Sequence, residues 1–134
     1  MNTIAQLDPQ IVWKNFYSLT QIPRPSKFEN EAAQFICDFG KNLGLESFRD
    51  EIGNVIIRKP ATPGMEDRMG VILQAHVDMV PQKNNDVEHD FKKDPIKPRI
   101  VDNMVYATGT TLGADNGLGC AVAMAVLESK DMVH

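Results

Sequence analysis

The chain has 134 residues, enough for one hydrophobic core, and 43% of them are hydrophobic, which is ordinary for a globular domain. Its net charge of −4, with scattered lysines and arginines, argues against nucleic acid or an anionic membrane as a partner, because both need a basic face. No apolar run approaches the ~20 residues that span a bilayer, and the first ten residues lack a signal-peptide pattern, so we expect a cytoplasmic location.

Two amphipathic helices are predicted in the first third of the chain. The first follows Asp8 and Pro9, since Asp suits the N-cap and Pro suits the first helical position. The second begins after Ser26, which forms a capping box with Glu29, and its buried face runs from Phe28 to Leu43. Gly44 suits a left-handed stop. Both helices are interpreted as packing elements.

The remaining elements are predicted from apolar runs and their punctuation. Runs rich in β-branched residues at 54–58 and 70–75 predict two strands, and 104–106 predicts a third, short strand. The polar stretch 84–97 predicts a surface excursion. Residues 117–127 are apolar nearly all round, which predicts a helix buried on most sides. Helices that alternate with strands favour an α/β fold with helices on the faces of a sheet.

His76 and Asp78 form the first candidate site, directly after the predicted strand at 70–75. Ligands in open α/β sheets lie beyond the carboxyl ends of strands, and residues two apart in extended backbone point to the same side. An imidazole is a good zinc ligand, and a carboxylate on its other ring nitrogen fixes the tautomer. The alternative is a histidine satisfied at a strand end beside a solvated aspartate.

Asp115 is the second candidate, in a small-residue turn that leads into the apolar helix. A carboxylate there is costly to bury unless something neutralises it, and a divalent cation would do so. The alternative is a helix N-cap, for which Asp is a favoured residue type. Both interpretations remain open from the residues alone.

Other reactive residue types give weaker signals. Cys37 and Cys120 lie in apolar, helix-like stretches and are predicted to be reduced core residues. His89 lies among acidic residues of the polar stretch and is interpreted as a solvated surface histidine. No serine has a GxSxG setting, and the glycines match no nucleotide-binding loop.

Two longer stretches make the sequence recognisable. QAHVDMVPQKN at 74–84 and GTTLGADNG at 109–117 resemble the dizinc aminoacylase and carboxypeptidase-like metallopeptidases, and within them the Xaa-His dipeptidase branch. The resemblance extends over nearly the whole chain through four further stretches, which are IPRPS at 22–26, DEIGNV at 50–55, RKPAT at 58–62 and HDFKKDPI at 89–96.

The resemblance implies specific roles for the candidate residues. His76 would be a ligand of one metal ion, Asp115 would bridge two ions, and Asp78 would be the carboxylate that orients His76. The ions would be divalent, zinc in the first place, with cobalt or manganese as alternatives. The resemblance also implies a cis, non-proline peptide bond between Asp115 and Asn116.

The resemblance further implies that this chain is incomplete as an enzyme. Residues 1–134 would be the N-terminal part of a three-layer α/β/α catalytic domain, with the rest of that domain and a lid or dimerisation domain outside the chain. The general base would be the first of two adjacent glutamates, and no such pair occurs here. We expect Xaa-His and other dipeptides as substrates, a homodimeric full-length protein and an inactive fragment. The alternatives are a related tripeptidase, aminoacylase or deacylase, or a non-catalytic binding module.

Overall fold

A computed structural model describes residues 3–134 of the chain. After a short 3-10 helix at Ile4–Gln6, the elements follow in the order α1 (Gln10–Thr20), α2 (Asn30–Asn42), β1 (Glu46–Arg49), β2 (Val55–Arg58), β3 (Pro98–Val101), β4 (Met104–Ala107) and α3 (Ala114–Glu128). The strands form two separate antiparallel pairs, β1 with β2 and β3 with β4. The mixed α/β class is therefore as predicted.

Helix α1 begins at Gln10, and the predicted cap by the Asp8 side chain is wrong. Pro9 holds the N-cap position, so Asp8 lies outside it, and the indole nitrogen of Trp13 instead donates to the Asp8 backbone carbonyl at 3.1 Å. The inner face of the helix buries Phe16 and Leu19. The helix packs on α3, and the amide of Asn15 donates to the Glu128 carboxylate at 2.7 Å.

Helix α2 begins at Asn30 without a side-chain cap, so the predicted capping box is wrong. Its serine, Ser26, instead donates its hydroxyl to Asp78, which is 52 residues away. The predicted stop is confirmed, because Gly44 has a φ of +74° and follows the last turn. Phe28, expected on the buried face, is half exposed and lies against the ammonium of Lys92.

The β1–β2 pair packs on α2. Strand β2 matches the predicted run, whereas β1 has no pattern that predicts it. Their turn is organised by Asp50, whose carboxylate accepts hydrogen bonds from the backbone N–H groups of Ile52, Gly53 and Asn54. This carboxylate substitutes for backbone acceptors, as is typical of an Asx turn.

The predicted strand at 70–75 is wrong, since no ladder forms there in the described residues. Ile72 is 92% exposed, and Val71 and Leu73 are exposed as well. The sequence has the composition of a buried strand, but strand structure needs a neighbour that supplies the backbone partners. Within residues 3–134, no segment lies beside it as a sheet partner.

The polar excursion leads back into the second strand pair, as predicted for 84–97 and 104–106. Strand β4 contains the predicted segment, and β3 pairs with it through a turn at Asp102 and Asn103. One apolar residue anchors the excursion, because Ile96 is buried and its backbone N–H donates to the Thr20 carbonyl. The excursion is therefore held against the end of α1.

Helix α3 joins the two apolar clusters of the core. Leu19, Ile36, Cys120 and Met124 form one cluster, and Ile4, Phe16 and Ala121 form the other. Burial on most sides was expected, yet Val122 is half exposed. Cys37 and Cys120 are buried free thiols, as predicted. In the part of the chain that the structure describes, no helix is long and apolar enough to cross a membrane.

Candidate metal centre

His76 lies at the centre of the candidate site, between two carboxylates. Its Nδ1 lies 3.0 Å from Oδ1 of Asp78, and its Nε2 lies 3.0 Å from Oδ1 of Asp115. The ring is about half exposed, with 47% of its side chain accessible to solvent. The three residues singled out in the sequence therefore meet, although Asp115 follows His76 by 39 positions.

These two contacts favour a protonated imidazole. The hydrogen bond with Asp115 is the largest cause of a raised His76 pKa, partial desolvation opposes it, and Asp78 raises the pKa further. A proton and a metal ion compete for Nε2, because only the neutral imidazole is a ligand. The site therefore favours a positive charge at Nε2, carried by a proton or by a metal ion.

Asp78 is fixed from its other side by Ser26. The Ser26 hydroxyl donates to Oδ2 of Asp78 at 2.5 Å, which leaves Oδ1 for the His76 ring. The pKa of Asp78 is lowered chiefly by the Ser26 hydrogen bond, against partial desolvation, and then by His76. A carboxylate that stays ionised in this position holds the Nδ1–H tautomer of the histidine.

Asp115 lies at an irregular start of α3. Asp115 and Asn116 have non-helical backbone angles, and the bond between them is cis, as the resemblance implied. The helix cap comes from Asn116, whose Oδ1 accepts the N–H of Gly119 at 3.0 Å. The alternative in which Asp115 is the cap is therefore wrong.

Asp115 is not buried, contrary to the prediction. Its side chain is 95% exposed, so neither burial nor a capping bond accounts for its placement. Its Oδ1 faces His76, and the rest of the carboxylate faces solvent. A carboxylate in this setting is accessible to a cation from solvent.

The donor types fit a divalent metal ion. Imidazole nitrogen and carboxylate oxygen are ordinary zinc ligands, and the two donors of His76 and Asp115 already face one point. Asp78 bonds the opposite ring nitrogen and so does not face that point. Among residues 3–134, no group of three or more His, Cys, Asp or Glu side chains could hold a metal ion. The described residues therefore offer two donors, those of His76 and Asp115, to one ion.

The other histidines lie elsewhere. His89 packs edge to face on Phe91, and its Nε2 is buried without a partner among the described residues, so it is not the solvated histidine that was expected. The His134 ring lies near Thr62 and the Pro60 carbonyl.

Two residues of the site escaped prediction from sequence. Ser26 was assigned to a helix cap because Glu29 follows it at the capping-box spacing. Arg24 belongs to the IPRPS motif, which predicts no contact for its side chain. The side chain is 1% exposed and donates to the backbone carbonyls of Val77 and Gly113, both at 2.8 Å. An arginine flanked by two prolines is the only local signal, and it does not indicate burial.

Comparison with known proteins gives close matches in sequence and in fold. No family model matches the chain. Over all 134 residues the chain is 54% identical to the cytosol non-specific dipeptidase of Escherichia coli (strain K12) and spans 28% of it. The crystal structure of aminoacylhistidine dipeptidase from Vibrio alginolyticus matches 99% of the chain with a TM-score of 0.97 and 53% identity, and the chain covers 27% of that protein. The resemblance of the sequence motifs to Xaa-His dipeptidases is confirmed.

More distant structures share the fold. The aminopeptidase PepT from Bacillus cereus matches 90% of the chain with a TM-score of 0.66 and 25% identity, over 32% of its own length. A tripeptidase from Staphylococcus aureus matches 91% with the same TM-score at 22% identity and shows the fold alone. This chain spans roughly a quarter to a third of the proteins it matches.

Proposed function

We propose that the protein containing this chain hydrolyses dipeptides, Xaa-His dipeptides included, with a water activated by two divalent metal ions. The observation that carries the proposal is the His76–Asp115 pair, whose nitrogen and oxygen donors lie 3.0 Å apart while Asp78 holds the other ring nitrogen. The match to two proteins named as dipeptidases supports the same reaction class.

Each residue has one role in this proposal. His76 would hold one ion, and Asp115 would be a ligand that the two ions share. In the neutral imidazole, Asp78 accepts a hydrogen bond from Nδ1–H of His76, so that Nε2 carries the lone pair and its basicity is raised. When bound, the ions, zinc in the first place, would supply Lewis-acid polarisation of the scissile carbonyl and would acidify a water.

Residues 1–134 would not form a complete active site. The general base and the remaining ligands would come from outside residues 1–134, because no adjacent glutamate pair occurs in the sequence. Residues 1–134 would be the N-terminal part of the catalytic domain. The chain alone is therefore expected to hydrolyse no dipeptide.

The test uses the full-length protein and measures the release of free histidine from β-alanyl-histidine and other Xaa-His dipeptides. His76→Ala and Asp115→Asn should each lower turnover by about two orders of magnitude or more, because each removes a ligand. Asp86→Asn is the matched control, since Asp86 is exposed in the polar excursion and bonds nothing at the site. Activity that survives both site substitutions would refute the assigned roles.

Other substrates and metal binding separate the alternatives. Faster turnover of tripeptides or of N-acylated amino acids than of any dipeptide would favour a tripeptidase or an aminoacylase. A non-catalytic binding module predicts no specific divalent site, so calorimetry with zinc, cobalt and manganese would show no difference between the wild type and Asp115→Asn. Metal content after purification identifies the ion.

The cellular setting completes the proposal. A cytoplasmic location is supported by the Escherichia coli relative, whose name describes it as cytosolic. We propose a homodimer for the full-length protein, which light scattering after gel filtration would test. Dipeptides are the proposed partners, with no role for nucleic acid or membranes.

A further inference from the structure

We propose that Arg24 and Ser26 are positioning residues of the metal centre, Arg24 by fixing the two ligand-bearing segments to each other and Ser26 by fixing Asp78. This inference rests on the proposed function. It concerns how two donors that lie 39 residues apart are held 3.0 Å from each other.

Arg24 joins the two segments through one rigid group. Its Nη1 donates to the carbonyl of Val77, the residue after His76, and its Nη2 donates to the carbonyl of Gly113, two residues before Asp115. The guanidinium is planar and its donors have a fixed geometry. The spacing between the two carbonyls is therefore set by the shape of the arginine, which a flexible lysine ammonium cannot reproduce.

Because Arg24 is buried, its guanidinium depends on hydrogen bonds to these backbone carbonyls. Its side chain is 1% exposed, and a buried charge is costly unless hydrogen bonds satisfy it. The compensation comes from three backbone carbonyls, those of Val77, Gly113 and, at 3.4 Å, Leu19. If Arg24 served only to fill space, an apolar side chain of similar volume would stabilise the fold better, because it would not require burial of a charge. The buried charge is accounted for if the guanidinium fixes the two backbone segments.

The space around the guanidinium is also closed. A Cβ on Gly113 or on Gly117 would lie 2.6 Å from Nη2 of Arg24. The Gly113 Cβ would also lie 2.9 Å from the Met79 sulfur. Small residues on both sides thus let the start of α3 approach the arginine closely.

Ser26 acts on the same segment from the backbone and from its side chain. The N–H of Met79 donates to the Arg24 carbonyl, and the N–H of Ser26 donates to the Met79 carbonyl, which aligns the two stretches side by side. In this register the Ser26 hydroxyl reaches Oδ2 of Asp78, which in turn holds His76. Hydrogen bonds therefore connect Ser26 through Asp78 to the ring of His76, the proposed metal ligand.

The experiment uses the full-length protein and three variants, which are Ser26→Ala, Ser26→Thr and Arg24→Lys. Ser18→Ala is the matched control, because the Ser18 hydroxyl donates only to the Lys14 carbonyl within α1. The measurements are the dissociation constant for zinc from chelator competition, the visible absorption spectrum of the cobalt form and the thermal unfolding midpoint.

We expect Ser26→Ala to raise the metal dissociation constant about tenfold and to alter the cobalt spectrum, as is typical when a partner of a metal ligand is lost. Ser26→Thr should restore both, because it keeps the hydroxyl, and Ser18→Ala should change neither. Arg24→Lys should alter the spectrum in the folded fraction even if the unfolding midpoint also falls.

The outcomes are distinguishable. If Ser26→Ala and Arg24→Lys change only the unfolding midpoint and leave metal affinity and spectrum as in the wild type, the two residues are structural and the positioning role is refuted. If the wild type itself binds no divalent ion, the proposed function fails, and the positioning role fails with it. A folded Ser26→Ala protein with weakened binding, rescued by threonine, supports the inference.

Discussion

Replacement of Gly113 by alanine should destabilise the protein more than the same change at Gly44, although both glycines have a φ of +74°. An L-residue in the left-handed region costs about 1–2 kcal/mol, offset by about 0.4–1 kcal/mol because alanine restricts the unfolded chain. A Cβ at Gly44 has no atom within 4 Å, so Gly44→Ala should cost about 1 kcal/mol in total. The Gly44→Ala variant therefore measures the cost of the left-handed backbone conformation without any steric contact.

The new Cβ at Gly113 would instead lie 2.6 Å from Nη2 of Arg24 and 2.9 Å from the Met79 sulfur. Such overpacking typically adds about 1–3 kcal/mol, so Gly113→Ala should cost about 2–4 kcal/mol. Urea unfolding of both variants in the same protein, followed by pulse proteolysis, gives the two midpoints for comparison with a common slope. Equal destabilisation at the two positions would refute the crowding around Arg24.

Three further predictions concern the core and two titrating groups. Phe16→Ala should cost about 3–5 kcal/mol because its ring is fully buried, whereas Val122→Ala on the half-exposed face of α3 should cost less than about 1 kcal/mol in the same unfolding assay. The pKa of Asp50 is lowered, first by its hydrogen bond with the Asn54 side chain, so Asp50 contributes its full stabilisation above its unfolded-state pKa of 3.8. This stabilisation is lost as the pH falls through the folded-state pKa. An NMR titration of the carboxyl group checks the direction of the pKa shift, and Asp50→Ala is the variant that lacks this pH-dependent loss. The pKa of His76 is raised above 6.5, first by its hydrogen bond with Asp115, so zinc affinity should weaken as the pH falls through the raised pKa. Calorimetry across this pH range measures the affinity. A zinc affinity that does not change with pH would contradict competition between zinc and a proton.

The candidate site could be predicted from sequence further than the fold could. His76, Asp78 and Asp115 were each found from local context, and their convergence is a long-range event that the motif resemblance anticipated. Their settings were less predictable. Asp115 was expected to be buried or to cap a helix, but Asn116 takes the cap, and local sequence favours either residue equally.

The hydrogen bond of Ser26 could not be predicted from its local sequence, because its partner is distant in the chain. Its spacing to Glu29 satisfies the capping-box pattern, but the hydroxyl finds an ionised carboxylate from a distant segment. A bond to a charged acceptor is roughly twice as strong as one to a neutral partner, so it wins over the cap. No window of sequence around Ser26 contains Asp78, and the same holds for Arg24 and its carbonyl acceptors.

The exposed run at 69–73 has a practical consequence for work with this chain alone. Met69 and Ile72 are more than nine-tenths exposed, and the run between them has the apolar, β-prone composition that forms intermolecular sheets when its backbone is unpaired. The separately expressed chain is therefore expected to aggregate through this run, and the gatekeeper substitution Ile72→Lys should raise its soluble yield and its critical concentration for light scattering.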